Sequence, residues 1–269
     1  MPIYFVDDSA VRPSVIVIEG RLARHLAGAL RMQPGERCCF VDARERRYLS
    51  ELTTVSPDRI TATILYEEPP APPLRPVTLA QALLKGHRMD WLLQKASELG
   101  ATRIVPLVTE RTIVRPRRER LPAQLERWRA ILLEAAQQSG RSRPPELSLP
   151  CDLQSALAGA PPHASRVILS EIETGTMLGR LIPTLPDDQP MFIIVGPEGG
   201  LSRAELTVAE RMGVRAVSLG RLTLRAETAA LAALALIHGL GSRQSDGGNR
   251  TLSGSAHQSA PGAAPGMVQ

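Results

Sequence analysis

The chain has 269 residues, room for two domains with a sizeable core, and carries a formal charge of +5 with a sequence pI near 9.6. No apolar run approaches the roughly 18 uncharged residues that a membrane-spanning helix needs. The opening MPIYFVDDSAV holds acids where an export signal would be basic, and Cys38, Cys39 and Cys151 fit no metal or redox spacing, so a reduced, cytoplasmic, metal-free chain is expected. The positive charge is local. Residues 1–72 hold nine arginines against ten acids, a net of −1, whereas residues 101–145 hold ten arginines against four glutamates, a net of +6. A concentrated basic segment points to a polyanionic partner.

Residues 1–72 read as a small β-rich domain. Runs over 3–6, 15–18, 36–41, 48–54 and 60–66 have strand composition. Leu22, Leu26 and Leu30 recur at helical spacing, giving a helix over 20–30, and Pro34-Gly35 marks a turn. Arg44-Glu45-Arg46-Arg47 is a charged hairpin tip, either a solvated turn or a holder of phosphates. Residues 68–76 contain five prolines, an extended semi-rigid linker, and place the domain boundary near residue 72.

Residues 73–240 alternate strand and helix. A strand over 77–84 passes through Lys85-Gly86 into a helix over 88–99, closed by Gly100. Trp91, Leu92, Lys95 and Glu98 lie at helical spacing, and Trp91 reads as core or interface rather than as a stacking platform. A strand over 104–107 precedes Glu110-Arg111-Thr112 and the run Arg115-Pro116-Arg117-Arg118-Glu119-Arg120, which carries the local charge excess and favours contact with a phosphate backbone. A helix over 121–139 accepts Pro122 in its first turn. Glu134, Gln138 and Arg141 are spaced i, i+4, i+7, one face if that helix persists. A strand over 167–170 then leads to Glu171.

The stretch from 191 to 238 repeats one unit twice: apolar run, glycine-bearing loop, helix. The unbroken run over 192–195 predicts a strand covered on both faces. It stops at Gly196-Pro197-Glu198-Gly199-Gly200, and Ser202 three residues before Glu205 predicts a capping box on a helix reaching about 212. A second strand over 214–219 meets Gly220 and then a helix over 227–238, apolar nearly all round and so in need of cover on most sides. Two such loops at the carboxyl ends of neighbouring parallel strands make a ligand crevice. No G-x-G-x-x-G or Walker sequence is present, so the ligand is neither a dinucleotide nor a nucleoside triphosphate bound in the usual loop. Residues 241–269, poor in large apolar side chains and rich in Gly, Ser, Ala and Pro, are expected to be disordered.

Four stretches, GPEGGLSRAEL, LGRLTLRAETAALAAL, LLKGHRMDWLLQKASELGATRIVPL and LEAAQQSGRSRPPEL, resemble the RsmE family of SPOUT methyltransferases. The resemblance implies a PUA-like RNA-binding barrel domain followed by an α/β SPOUT domain with a C-terminal trefoil knot. It implies methylation of a uridine N3 in 16S ribosomal RNA of the small subunit, with S-adenosyl-L-methionine as donor, in a homodimer whose basic segment helps hold RNA at the partner's cofactor loops. The cofactor loops would be Leu169-Ser170-Glu171, Gly196-Pro197-Glu198-Gly199, and Leu219-Gly220 with Leu224 and Arg225. Arg115, Arg117, Arg118, Gln138 and Arg141 would face RNA, while His25 is either an RNA contact or a partly buried helix residue. The third motif departs from the family's usual LGPRILRAETA: Arg221 and Leu222 replace Pro and Arg, and Thr223 replaces Ile.

Methyl transfer to nitrogen is an in-line displacement from an activated sulfonium, so the protein supplies mainly positioning and electrostatics. The uracil N3–H must lose its proton. Arg225 is the residue expected to stabilise the anion, and Glu198 or Glu227 the one to take the proton. Two other readings fit less of the sequence: a knotted ribose 2′-O-methyltransferase, and a non-catalytic RNA-binding assembly factor.

Overall fold

The computed structural model describes residues 1–69, 74–171 and 175–241. The expected boundary near residue 72 lies outside the described residues, as does the stretch expected to be disordered, 241–269, except for Gly241, which is helical.

The N-terminal unit is a five-stranded sheet. In chain order it comprises β1 (Ile3–Phe5), β2 (Val15–Glu19), α1 (Gly20–Arg24), β3 (Arg37–Val41), β4 (Arg47–Val55) and β5 (Arg59–Glu68), arranged β1-β3-β4-β5-β2. Only the β1–β3 pair is parallel. Ile16, Leu26, Phe40, Leu52 and Ile60 fill its interior. The helix expected to reach residue 30 is α-helical for little over a turn and continues as a π-helical turn, His25–Ala29, which leaves His25 exposed rather than partly buried. At the hairpin tip every guanidinium has an internal partner: Arg44 pairs with Asp8 at 3.3 Å, Arg46 with the buried Asp42 at 2.7 Å and Arg47 with Glu68 at 3.1 Å. The tip is therefore a self-neutralised turn, not a free triple cation.

The second unit continues with β6 (Val77–Ala82), α2 (Arg88–Glu98), β7 (Arg103–Leu107), α3 (Leu121–Gln138), β8 (Glu146–Leu147), α4 (Leu153–Ala158), β9 (Ser165–Leu169), α5 (Leu178–Leu181), β10 (Met191–Val195), α6 (Arg203–Arg211), β11 (Arg215–Val217) and α7 (Ala226–Gly241). Its six strands run β11-β9-β10-β6-β7-β8, all parallel. All five residues of β10 are buried, as the unbroken apolar run predicts. Met191, Ile193 and Val195 point into a core shared with α2, α3, α5 and α7; Phe192 and Ile194 point into a second core under α4 and α6. Fully burying each such side chain is worth about 1.5–3 kcal/mol.

The crevice does not lie between the neighbouring strands that its glycine loops predict. The strands that end in the two glycine loops are not neighbours, because β9 lies between β10 and β11. Strand β11 is also held on its far side. Ser218 N–H donates to Thr176 O at 2.8 Å and Leu178 N–H to Ser218 O at 2.9 Å, so residues 215–218 run between β9 and the segment 176–178.

Helix α3 stops at Gln138, where the Ser139 hydroxyl turns back onto Ala135 O at 2.7 Å and Gly140 adopts a φ of +76°. Arg141 thus leaves the face of Glu134 and Gln138. Its guanidinium instead donates through Nη1 to Ser97 O and Ala101 O, both at 2.7 Å, at the end of α2, where the helix dipole favours a cation. Burial pushes this guanidinium down to about 10, which still leaves it charged at neutral pH. Gly140 O accepts from Arg47 Nη1 at 3.0 Å and Arg143 pairs with Glu45 at 3.2 Å, docking the first unit on the end of α3. Trp91 is 45 % exposed, which removes the core reading of that residue.

The last turn of α7 closes against α2. A Cβ at Gly100, whose φ is +90°, would lie 2.6 Å from His238 Nε2. Gly100→Ala should therefore cost about 2 kcal/mol or more, from backbone strain and displacement of a packed imidazole. Gly213→Ala is the control, since Gly213 has a φ of +76° with nothing within 4 Å. Thermal denaturation should show the larger loss at Gly100, and equal losses would show that the imidazole contact contributes nothing.

Candidate active site

Three strand ends meet at one cleft of about 540 Å³. Strand β9 supplies Leu169, Ser170 and Glu171. The loop after β10 supplies Gly196, Pro197, Glu198 and Gly199. The loop after β11 supplies Leu219, Gly220, Leu224 and Arg225. Every residue expected to touch the cofactor thus lies on the wall of a single cavity.

Local chemistry explains the shape of the middle loop. Ser202 caps α6 by accepting from Glu205 N–H at 3.3 Å, and Glu205 Oε2 accepts from Ser202 N–H at 2.8 Å, the reciprocal box that the sequence predicts. A Cβ at Gly196 would sit 3.2 Å from Leu201 Cγ and 3.3 Å from the Gly200 carbonyl carbon, so a side chain there would press its neighbours aside. Beneath it Gln81, fully buried on β6, donates through Nε2 to Gly196 O at 3.4 Å. In the third loop the Ser218 hydroxyl donates to Gly220 O at 3.0 Å and accepts from Gly220 N–H at 3.1 Å, with Gly220 at a φ of +137°. Two walls of the cleft are therefore largely main chain, which presents amides and carbonyls to a ligand.

The charged residues divide sharply. Glu198 Oε1 accepts from Lys85 N–H at 3.2 Å and from Arg88 Nη1 at 3.3 Å. The Arg88 guanidinium also reaches Glu227 Oε1 at 3.9 Å. Glu227 is buried and stands behind Arg88 rather than on the cleft wall, so of the two carboxylates only Glu198 faces the cavity. Arg225 is exposed on the rim, and among the described residues its side chain has no hydrogen bond or ion pair.

Sequence reasoning passed over Arg88, Arg111 and Gln81. Arg88 stands in the KGHR stretch and is recognisable only from its two carboxylate partners, more than a hundred residues away. Arg111 lines the cleft and donates to Gly199 O at 3.0 Å. Of the residues expected to face RNA, Arg115, Arg117 and Arg118 are exposed on the segment between β7 and α3. Gln138 lies elsewhere, with Glu134 and Trp91, in a groove of about 610 Å³ between α2 and α3. Arg141 is committed to the end of α2.

Residues 70–238 match the model of an RNA methyltransferase domain and residues 18–65 that of an RNA methyltransferase PUA domain. Ribosomal RNA small subunit methyltransferase E of Bacillus subtilis is 31% identical over 82% of this chain and 88% of its own length. The chain belongs to this methyltransferase E family. The Synechocystis member is 33% identical over 80% of this chain and 70% of its own length. The crystal structure of the Neisseria gonorrhoeae member bound to S-adenosyl methionine is 32% identical and superposes with a TM-score of 0.77, covering 89% of this chain and 98% of that one. The PUA-like sheet followed by a parallel α/β domain is thus the family's architecture. Among the described residues no helix is long and apolar enough to cross a membrane.

Proposed function

We propose that this chain transfers a methyl group from S-adenosyl-L-methionine to N3 of a uridine in 16S ribosomal RNA of the small subunit. The observation that carries the reading is the convergence of three strand-end loops, two of them glycine-lined, on one cleft with Arg225, uncommitted among the described residues, at its rim. When bound, the cofactor supplies a methyl group already activated on a sulfonium. The residues present fit it: main-chain amides and carbonyls can read an adenine, and the loops lack the phosphate-binding sequences that this ligand does not need. The Neisseria relative's bound S-adenosyl methionine supports the same choice.

The remaining chemistry falls to side chains. Arg225 stabilises the negative charge that appears on the uracil ring as N3 loses its proton. Glu198 is the acceptor on this reading, because it faces the cleft while Glu227 does not. Lys85 N–H and Arg88 occupy Oε1 of Glu198 and orient the carboxylate. The target base has to be unstacked before N3 is reachable. The reading includes a trefoil knot, supported by the passage of residues 215–218 between β9 and 176–178, and a cytoplasmic place of action, where small subunits are assembled. The test is tritium transfer from labelled cofactor into small subunits that lack the modification, followed by nucleoside identification. Label on a uracil N3 is expected, with Arg225→Ala reducing the rate at least about 100-fold, as for loss of one transition-state anion donor. Label on ribose, or none, overturns the proposal.

RNA binding on this reading uses Arg115, Arg117 and Arg118, which are exposed within the segment of local charge excess. Replacing all three by Ala should weaken RNA binding and flatten the log K against log salt plot by up to about one unit per lost phosphate contact. An unchanged slope returns the run to the solvent.

A homodimer through the outer side of α7 completes the proposal. Ala230, Ala233, Leu234 and Ile237 face this subunit's own core, whereas Ala235 is exposed and Leu240 is 41 % exposed. Leu234 therefore reports on folding, and Leu236, only partly covered, is the residue to change. Leu236→Glu should sediment as a folded monomer with methyl transfer lost. A wild-type chain that is monomeric at micromolar concentration yet active removes the dimer from the reading.

A further inference from the structure

The loop after β7 and the loop after β10 are tied together twice. Arg111 Nη1 donates to Gly199 O at 3.0 Å. Glu110 N–H donates to Glu205 Oε1 at 2.9 Å, while Oε2 of the same carboxylate holds Ser202 N–H. One glutamate thus closes the cap of α6 and anchors the neighbouring loop. The turn that carries Arg111 is itself braced. Thr109 N–H donates to Thr112 Oγ1 at 2.9 Å, the two hydroxyls lie 2.7 Å apart, and both residues are buried. Arg115 joins the same frame, donating through Nη2 to Glu110 O at 3.4 Å. The run of exposed arginines therefore begins on a turn that is hydrogen-bonded to the glycine loop of the cleft.

We propose that Arg111 is a positioning residue that couples RNA held by Arg115, Arg117 and Arg118 to the Gly196–Gly200 loop, so that RNA and cofactor each tighten the binding of the other; this rests on the function proposed above. RNA on the basic run strengthens the hold on the already braced turn at 109–112. An ordered turn fixes Arg111, and Arg111 fixes the Gly199 carbonyl at the cofactor wall. The same bonds act in reverse, because coupling between two binding equilibria is reciprocal. The braced turn, rather than the arginine alone, makes the connection stiff: movement of Arg115 relative to Gly199 must break at least one of the Arg111, Glu110 or Thr112 contacts.

Arg111→Met keeps the length of the side chain and removes its donors, while Arg111→Lys keeps a cationic donor. Cofactor affinity is measured by calorimetry with and without a transcript of small-subunit ribosomal RNA. The wild type should bind the cofactor at least about fivefold more tightly with RNA present. Arg111→Met should bind cofactor several-fold more weakly and lose the RNA effect, Arg111→Lys should recover part of it, and the melting temperature should stay within about a degree. Hydrogen exchange of the amides from Gly200 to Ser202 should quicken in Arg111→Met. A Met variant with the wild-type coupling factor overturns the proposal, as does one that loses RNA affinity but keeps the coupling, since Arg111 would then be a phosphate contact alone. Wild type that binds no cofactor overturns the proposed function instead, and the exchange measurement still decides the tie: unchanged exchange in Arg111→Met removes it.

Discussion

The structure turns on the dry centre of a parallel sheet. Strand β10 is hydrogen-bonded on both edges and covered on both faces, so none of its five side chains can afford a charge. Chemistry is displaced to the carboxyl end, where the main chain leaves the sheet and polar groups regain water. The arrangement of the cleft follows. Apolar β9 and β10 fix where their loops start, the capping box of α6 fixes the far end of the middle loop, and β11, gripped between β9 and residues 176–178, brings in the third. The side chains on the cleft wall need not be held by the core itself; they stand on loops that start from the buried strands.

Much of this was legible in the residues. The run over 192–195 followed by GPEGG states a buried strand meeting a backbone-lined turn, and Ser202 with Glu205 states a helix start, because each signal is local. The order of the strands was not legible. That β9 separates β10 from β11 is a matter of which chain segments meet across the sheet, and parallel strands of similar composition carry no local record of it. The sequence left the hairpin tip open between two readings for a related reason: the partners of Arg44 and Arg47, Asp8 and Glu68, lie far along the chain. Arg141 was misplaced although Ser139-Gly140 marked the end of α3, because the i, i+4, i+7 spacing was carried past a glycine with positive φ. Strand β8 and helices α4 and α5 have two to six residues, too short for periodicity to register.

The ends of α2, α3 and α7 show how few contacts organise a helical layer. Arg141 reaches from beyond α3 to the last carbonyls of α2, and the His238 ring of α7 lies where a side chain at Gly100 would stand. Burial, with Arg141 and Arg75 nearby, holds the His238 imidazole below its ordinary value despite the Gly100 backbone bond that opposes this, so the three helix ends meet around one guanidinium and a neutral ring. Glycine at position 100 is therefore as much a packing residue as Leu234 or Ile237.

The two rims of the cleft differ in how tightly they are specified. The Gly196–Gly200 rim is fastened by Gln81, Lys85 and Arg88 from one stretch of the chain and by Arg111 and Glu205 from two others, so a change there disturbs several neighbours at once. The opposite rim is loosely held. Leu222 is 81 % exposed, and among the described residues no hydrogen bond or ion pair reaches the side chains of Arg221, Leu222 or Thr223. Those are the three positions at which the chain departs from the usual motif of its family. This rim is therefore the part of the cleft where new side chains can be introduced without rebuilding the scaffold beneath.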